Sequence, residues 1–162
     1  MITEEIKYNP IGIIHSPFKK VEGVPIQPSQ AKGIKGIVEL RKEFEDGLKD
    51  LDGFSHIILL YHFHLSKDYA LNIVPLLDDI PHGIFATRAP KRPNQIGLSV
   101  VKLMKVEMNI LHIENIDIID GTPLLDIKPN FKECSNSEEI KMGWLTEKTN
   151  KSYNIKADKR FK

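Results

Sequence analysis

The feature that most limits what this chain can become is a succession of short apolar runs that never alternate with a sustained helical pattern. Residues 11–15, 34–40, 54–64, 83–88, 98–106, 110–114 and 124–127 are each rich in Ile, Val, Leu or Phe, with Gly, Pro and Asn between them. Runs of this length bounded by turn residues form strands, and seven of them predict a barrel or a sandwich. Met108 and Asn109 separate two alternating runs and read as a tight antiparallel hairpin turn, because Asn tolerates the left-handed conformation such turns need. Helical signals are few. Phe44, Leu48 and Leu51 recur at helical spacing before Gly53, which sits at a capping position, and residues 69–77 read as a second short helix ended or kinked by Pro75. No glycine-rich turn of the dinucleotide-binding kind is present, which argues against a Rossmann architecture.

At 162 residues the chain is the size of one domain and large enough to bury a core without cross-links. Hydrophobic residues make up 41% and charged residues 28%, which excludes a disordered or fibrous chain. The most apolar stretch, residues 57–61, is too short to span a bilayer, and the N-terminal MITEEIKYNP lacks a signal-peptide pattern. A cytoplasmic location is the expectation. Cys134 is the only cysteine, so an internal disulfide and a multi-cysteine metal site are both excluded.

Net charge is formally +1, but its distribution is uneven. Residues 80–106 hold no acid, while Arg88, Lys91, Arg92, Lys102 and Lys105 are all basic; the final residues turn basic again with Lys141, Lys148, Lys151, Lys156, Lys159, Arg160 and Lys162. Segregated charge of this kind focuses a positive field on one face even near neutrality. The organisation expected is a barrel domain over residues 1–140 and a basic extension over 141–162.

His56, His62 and His64 fall at even positions of one run, on one face of a strand, but their neighbours there are Ile58 and Leu60. A zinc or iron site would need a carboxylate or a further histidine, so no metal is expected. Cys134 lies among acids in KECSNSEE, which disfavour its thiolate, and no serine occupies a nucleophile elbow.

Three loop motifs remain. VPIQPS sets Gln27, Pro28 and Ser29 on a proline-stiffened ledge; TRAPKRPN frames a basic pair with prolines; DGTPLLDIKP places an acid and a hydroxyl in a tight turn before a strand. Prolines lower the entropy lost on ordering a loop and so suit preorganised binding.

The ordered set IGIIHSPF, GVPIQPS, GLKDLDGFSHIILLYHFH, GIFATRAPKRPNQIGLSVVKL and IDIIDGTPLLDIKPN resembles the TrmO (TsaA-like) family of S-adenosylmethionine-dependent tRNA methyltransferases, in its shorter, archaeal-like form. The resemblance implies an all-β fold, a single antiparallel β-barrel with a few short helices. It also implies methyl transfer from S-adenosyl-L-methionine to N6 of N6-threonylcarbamoyladenosine beside the tRNA anticodon, and a homodimer. Carried over by motif, the donor pocket would use Gln27, Pro28, Ser29, Phe63, His64, Arg88, Asn94, Leu98, Asp120, Gly121, Thr122 and Pro123. Lys91 and Arg92 would meet anionic groups of the substrate. No residue declares itself as a catalytic base. The alternatives are a methyltransferase of the same fold with another acceptor, and a non-enzymatic RNA-binding barrel.

Overall fold

A computed structural model describes residues 4–26, 30–130 and 156. Six strands close a barrel in the order β1-β2-β7-β6-β3-β8, every pair antiparallel. In chain order these are β1 (Gly12–His15), β2 (Lys35–Leu40), β3 (His56–His62), β6 (Ile96–Glu107), β7 (Ile110–Glu114) and β8 (Thr122–Pro129). The remaining two, β4 (Asn72–Ile73) and β5 (His82–Gly83), form a separate small ribbon in the long excursion between β3 and β6.

The expected barrel is therefore present, and alternation is what builds it. Along β3 the side chains of Ile57, Leu59 and Tyr61 are buried while His56, Ile58, Leu60 and His62 are only partly covered. Ile14, Val38, Val101, Leu103, Leu111, Ile113 and Leu124 fill the interior from the other five strands. Closure gives each barrel strand a neighbour on both sides, which removes the barrel's risk of edge-to-edge pairing.

The β6–β7 hairpin has the predicted two-residue loop, since Glu107 pairs with Ile110. Its left-handed residue is Met108, at φ 52°, not the asparagine expected to take that role. Asn109 instead ties the turn to β2: its Nδ2 donates to the Leu40 carbonyl at 2.6 Å, and its own carbonyl accepts the Leu40 N–H at 2.9 Å.

Three expectations for local structure differ from what is found. Residues 83–88 form no strand beyond Gly83; Ile84–Ala86 is a turn of 3-10 helix closed by the Thr87 N–H to the Ile84 carbonyl. Residues 69–77 form no helix, because their backbone pairs outward: the Ala70 N–H donates to Lys91 and the Leu71 carbonyl accepts from Ile84. The stretch before Gly53 is 3-10 helix over Lys42–Leu48 and Leu51–Gly53, broken by Asp50 in the left-handed region. Among the described residues no helix is long and apolar enough to cross a membrane.

β7 and β8 are not neighbours, so residues 115–121 must cross one end of the barrel. Ile116 and Ile118 are buried by that crossing. It is tied at both sides: the Asn115 N–H donates to Ile34, Ser16 Oγ donates to the Ile118 carbonyl at 2.6 Å, and the Gly121 N–H donates to Ile14. Gly121 has φ 77°, a region that a side chain would strain.

On the next wall, Gly97 lies opposite Tyr61, and a Cβ there would fall 2.2–2.8 Å from three ring atoms. Gly97→Ala forces the ring to move in a filled core, so it should lower unfolding stability by about 1–3 kcal/mol with an unchanged denaturant slope in urea titration.

Candidate functional site

The end of the barrel crossed by residues 115–121 gathers the polar side chains. There β3 and β1 finish and β6 and β8 begin, so Phe63, His64, Ser16 and the DGTP turn share one rim. Phe63 meets Tyr61 edge-on at 5.4 Å between ring centroids, and its N–H donates to Gln95, which fixes the chain as it leaves β3. A turn follows, and it brings His64 Nδ1 to 3.3 Å from Thr122 Oγ1. Thr122 is buried and donates to the Ile119 carbonyl at 2.7 Å, so its hydroxyl accepts from the imidazole. Partial burial and the neighbouring His62 lower the His64 pKa, which keeps that ring neutral near pH 7.

Asp120 is committed to the local backbone. One carboxylate oxygen accepts the Ser16 N–H at 3.0 Å and the other meets Lys19 Nζ at 2.7 Å, which holds its pKa below the usual carboxylate range. Both bonds anchor the segment after β1 to the DGTP turn.

The proline-framed basic loop divides its cations by task. Arg92 Nη1 donates to the carbonyls of Thr87 at 2.8 Å and Ile84 at 3.2 Å, with Ala89 at 3.5 Å, and the guanidinium lies 5.8 Å from the Phe85 ring centroid. It thereby staples its own loop. Arg88 is exposed, has no ion pair among the described residues, and its charge acts on both Tyr61 and Asp117. The Lys91 carbonyl accepts the Ala70 N–H, fastening the loop to the excursion.

Of the sequence-predicted set, the structure brings Phe63, His64, Arg88, Asp120, Gly121 and Thr122 to this rim. Leu98 and Pro123 stand on the outer wall, at alternate positions to the buried Gly97, Ser99, Thr122 and Leu124. Asn94 is exposed at the start of β6, its carbonyl accepting the Ile96 N–H. Gln27, Pro28 and Ser29 lie outside the described residues, as do Cys134 and the basic extension apart from Lys156, which bridges to Pro25 beside that first loop. Among the described residues no group of three side chains is placed to hold a metal ion.

One polar group at the rim was missed in the sequence. Asp117, on the crossing segment, accepts a hydrogen bond from Ser99 Oγ at 2.7 Å, and Ser99 in turn lies 3.0 Å from the Tyr61 hydroxyl. Because the serine proton goes to the carboxylate, the tyrosine hydroxyl is the donor in the second bond. Burial pushes the Asp117 pKa up to about 6 and also raises that of Tyr61. The signal was available: an acid inside the apolar run IDII.

The family model for the tRNA-methyltransferase O N-terminal domain matches residues 13–136. A probable S-adenosyl-L-methionine-binding protein of Pyrococcus abyssi is 54% identical over 96% of this chain and 85% of its own length. The human tRNA (adenine(37)-N6)-methyltransferase is 35% identical over 85% of this chain, which spans 33% of the human protein. The crystal structure of TrmO from Pseudomonas aeruginosa superposes with a TM-score of 0.72 at 36% identity, covering 87% of this chain and 63% of that one. Barrel topology, the rim built from FH, TR and DGTP, and these likenesses agree: the chain belongs to the tRNA-methyltransferase O N-terminal domain family.

Proposed function

We propose that this protein transfers a methyl group from S-adenosyl-L-methionine to N6 of N6-threonylcarbamoyladenosine next to the anticodon of tRNA, acting in the cytoplasm as a homodimer. The observation that carries the proposal is the rim itself, which gathers the half-buried His64 bonded to the buried Thr122, the aromatic Phe63, and an exposed Arg88 whose charge acts on Tyr61 and Asp117. The names of the relatives support the same donor and the same class of acceptor.

The residues fit the donor group by group. Arg88 suits a carboxylate, because a guanidinium pairs it through two parallel hydrogen bonds. Phe63 offers apolar cover for an adenine. A neutral His64 places no second cation beside a sulfonium. When bound, the donor supplies the methyl group on a sulfonium leaving group, and the chain contributes alignment of acceptor and donor. Asp120 remains the acid assigned to the ribose diol, while it anchors Ser16 and Lys19. Lys91 and Arg92 are assigned to anionic groups of the RNA, with Arg92 also shaping the loop.

Apolar side chains of the excursion support the homodimer. Leu65, Tyr69, Leu71, Ile80 and Phe85 are all exposed between β3 and β6. A cluster of this kind on one segment is characteristic of an interface. Lys156, paired to Pro25, brings one residue of the basic extension near the first loop, where it would add to the attraction for phosphates.

The decisive assay uses labelled S-adenosyl-L-methionine with two tRNA pools, one bearing threonylcarbamoyladenosine and one lacking it. Methylation confined to the modified pool, read by nucleoside mass analysis, is the expected result; methylation of neither would overturn the acceptor. Arg88→Ala should weaken donor binding at least tenfold by calorimetry, and an unchanged affinity would remove the arginine from the pocket. Phe85→Glu should convert the dimer to monomer in sedimentation analysis at micromolar protein, while a sedimentation coefficient equal to that of the wild type would place the interface elsewhere.

A further inference from the structure

Asp117 lies at the rim within reach of the Arg88 charge, and no group of the donor is assigned to it. Tyr61 and Ser99 both face the barrel interior, and a hydrogen-bonded chain runs from the tyrosine hydroxyl through the serine to Asp117. Polar groups in a barrel interior are tolerated when each is hydrogen-bonded, and here the buried Tyr61 and Ser99 pass their hydrogen bonds in series to the half-buried Asp117, which fixes the position of its carboxylate.

We propose that Asp117 accepts the proton that leaves the acceptor nitrogen during methyl transfer, with Ser99 and Tyr61 holding its carboxylate at the barrel mouth. This role rests on the methyl transfer proposed above. In that step the nitrogen forms a bond to the methyl carbon as the carbon–sulfur pair returns to sulfur, leaving a neutral thioether. The N–H proton passes to the Asp117 carboxylate and from there to water.

The other candidates at the rim serve less well. Asp120 is bound to Lys19 and to the Ser16 N–H, and those partners make it a weaker base than an ordinary carboxylate. His64 donates its Nδ1 proton to Thr122, which leaves Nε2 as its one basic nitrogen, and partial burial beside His62 lowers the basicity of that ring. Asp117 is more basic than either an ordinary carboxylate or Asp120, yet it is ionised at pH 7. The groups that face it are Ser99 from β6, Tyr61 from β3 and Arg88 from the basic loop. Arg88 and Ser99 favour the carboxylate form, and burial opposes it.

The test is single-turnover methyl transfer to tRNA bearing threonylcarbamoyladenosine, followed from pH 5 to pH 8. In the wild type the rate should rise about tenfold per pH unit below pH 6 and level above it, because the base must be deprotonated to act. Asp117→Asn should be about 100-fold slower at pH 7.5 and should lose the acidic limb, with donor affinity within threefold of wild type by calorimetry. Ser99→Ala should keep the limb but move it to higher pH, since the serine hydrogen bond favours the carboxylate. A wild-type rate in Asp117→Asn, an unchanged limb, or a loss of donor affinity equal to the loss of rate would each overturn the role. If Asp117→Asn does not fold, the position of the Ser99→Ala limb decides: displaced upward supports the role, unmoved overturns it. A wild-type protein that binds donor and methylates neither tRNA pool would overturn the proposed reaction, and this role with it.

Discussion

Everything at the rim depends on the closure of the barrel by β1, a strand of four residues. Gly12, Ile13 and Ile14 pair with β2 on one side and β8 on the other, so this one short segment satisfies the backbone of both neighbours. The fit is close at its first residue, where a Cβ on Gly12 would lie 2.4 Å from the Glu39 carbonyl oxygen. From its other end the chain continues directly into Ser16, whose N–H and hydroxyl fasten the DGTP turn and the crossing segment. Fold and site therefore share the same hydrogen bonds.

The basic loop after β5 shows how rigidity and charge are combined. Its prolines and the three carbonyl bonds of Arg92 fix the backbone from Ile84 to Ala89. With one arginine engaged in shaping the loop, Arg88 is presented at the rim from a stiff support, and little entropy is lost when it meets an anion. A single sign of charge over residues 80–106 is thus partly structural and partly addressed to a partner.

Strands were legible where period and punctuation agreed. Residues 110–114 were read to the residue, because alternation is strict and a tight turn precedes them. The segment between β3 and β6 was misread, since Leu71, Ile73 and Ile84 give apolar signals whose partners are each other and the loops, not a long strand or helix. Motifs located the rim residues of the turns, where identity and spacing carry the geometry. Asp117 was passed over because its importance comes from Ser99 and Tyr61, 18 and 56 residues away in the chain, and no local pattern records such a meeting. The division of labour between Arg88 and Arg92 was equally invisible, as two arginines in one loop look alike until their carbonyl partners are known.

The ladder between β1 and β8 joins Gly12 to Leu124 across 112 residues. Such distant pairing is entropically costly to nucleate, so it forms late and slowly by comparison with the β6–β7 hairpin, whose partners lie next to each other in the chain. Ser16, Asp120 and the crossing segment come together only when that last ladder forms. Binding competence at the rim is thus a property of the completed barrel alone, and recovery of donor binding during refolding should lag behind the growth of β-structure.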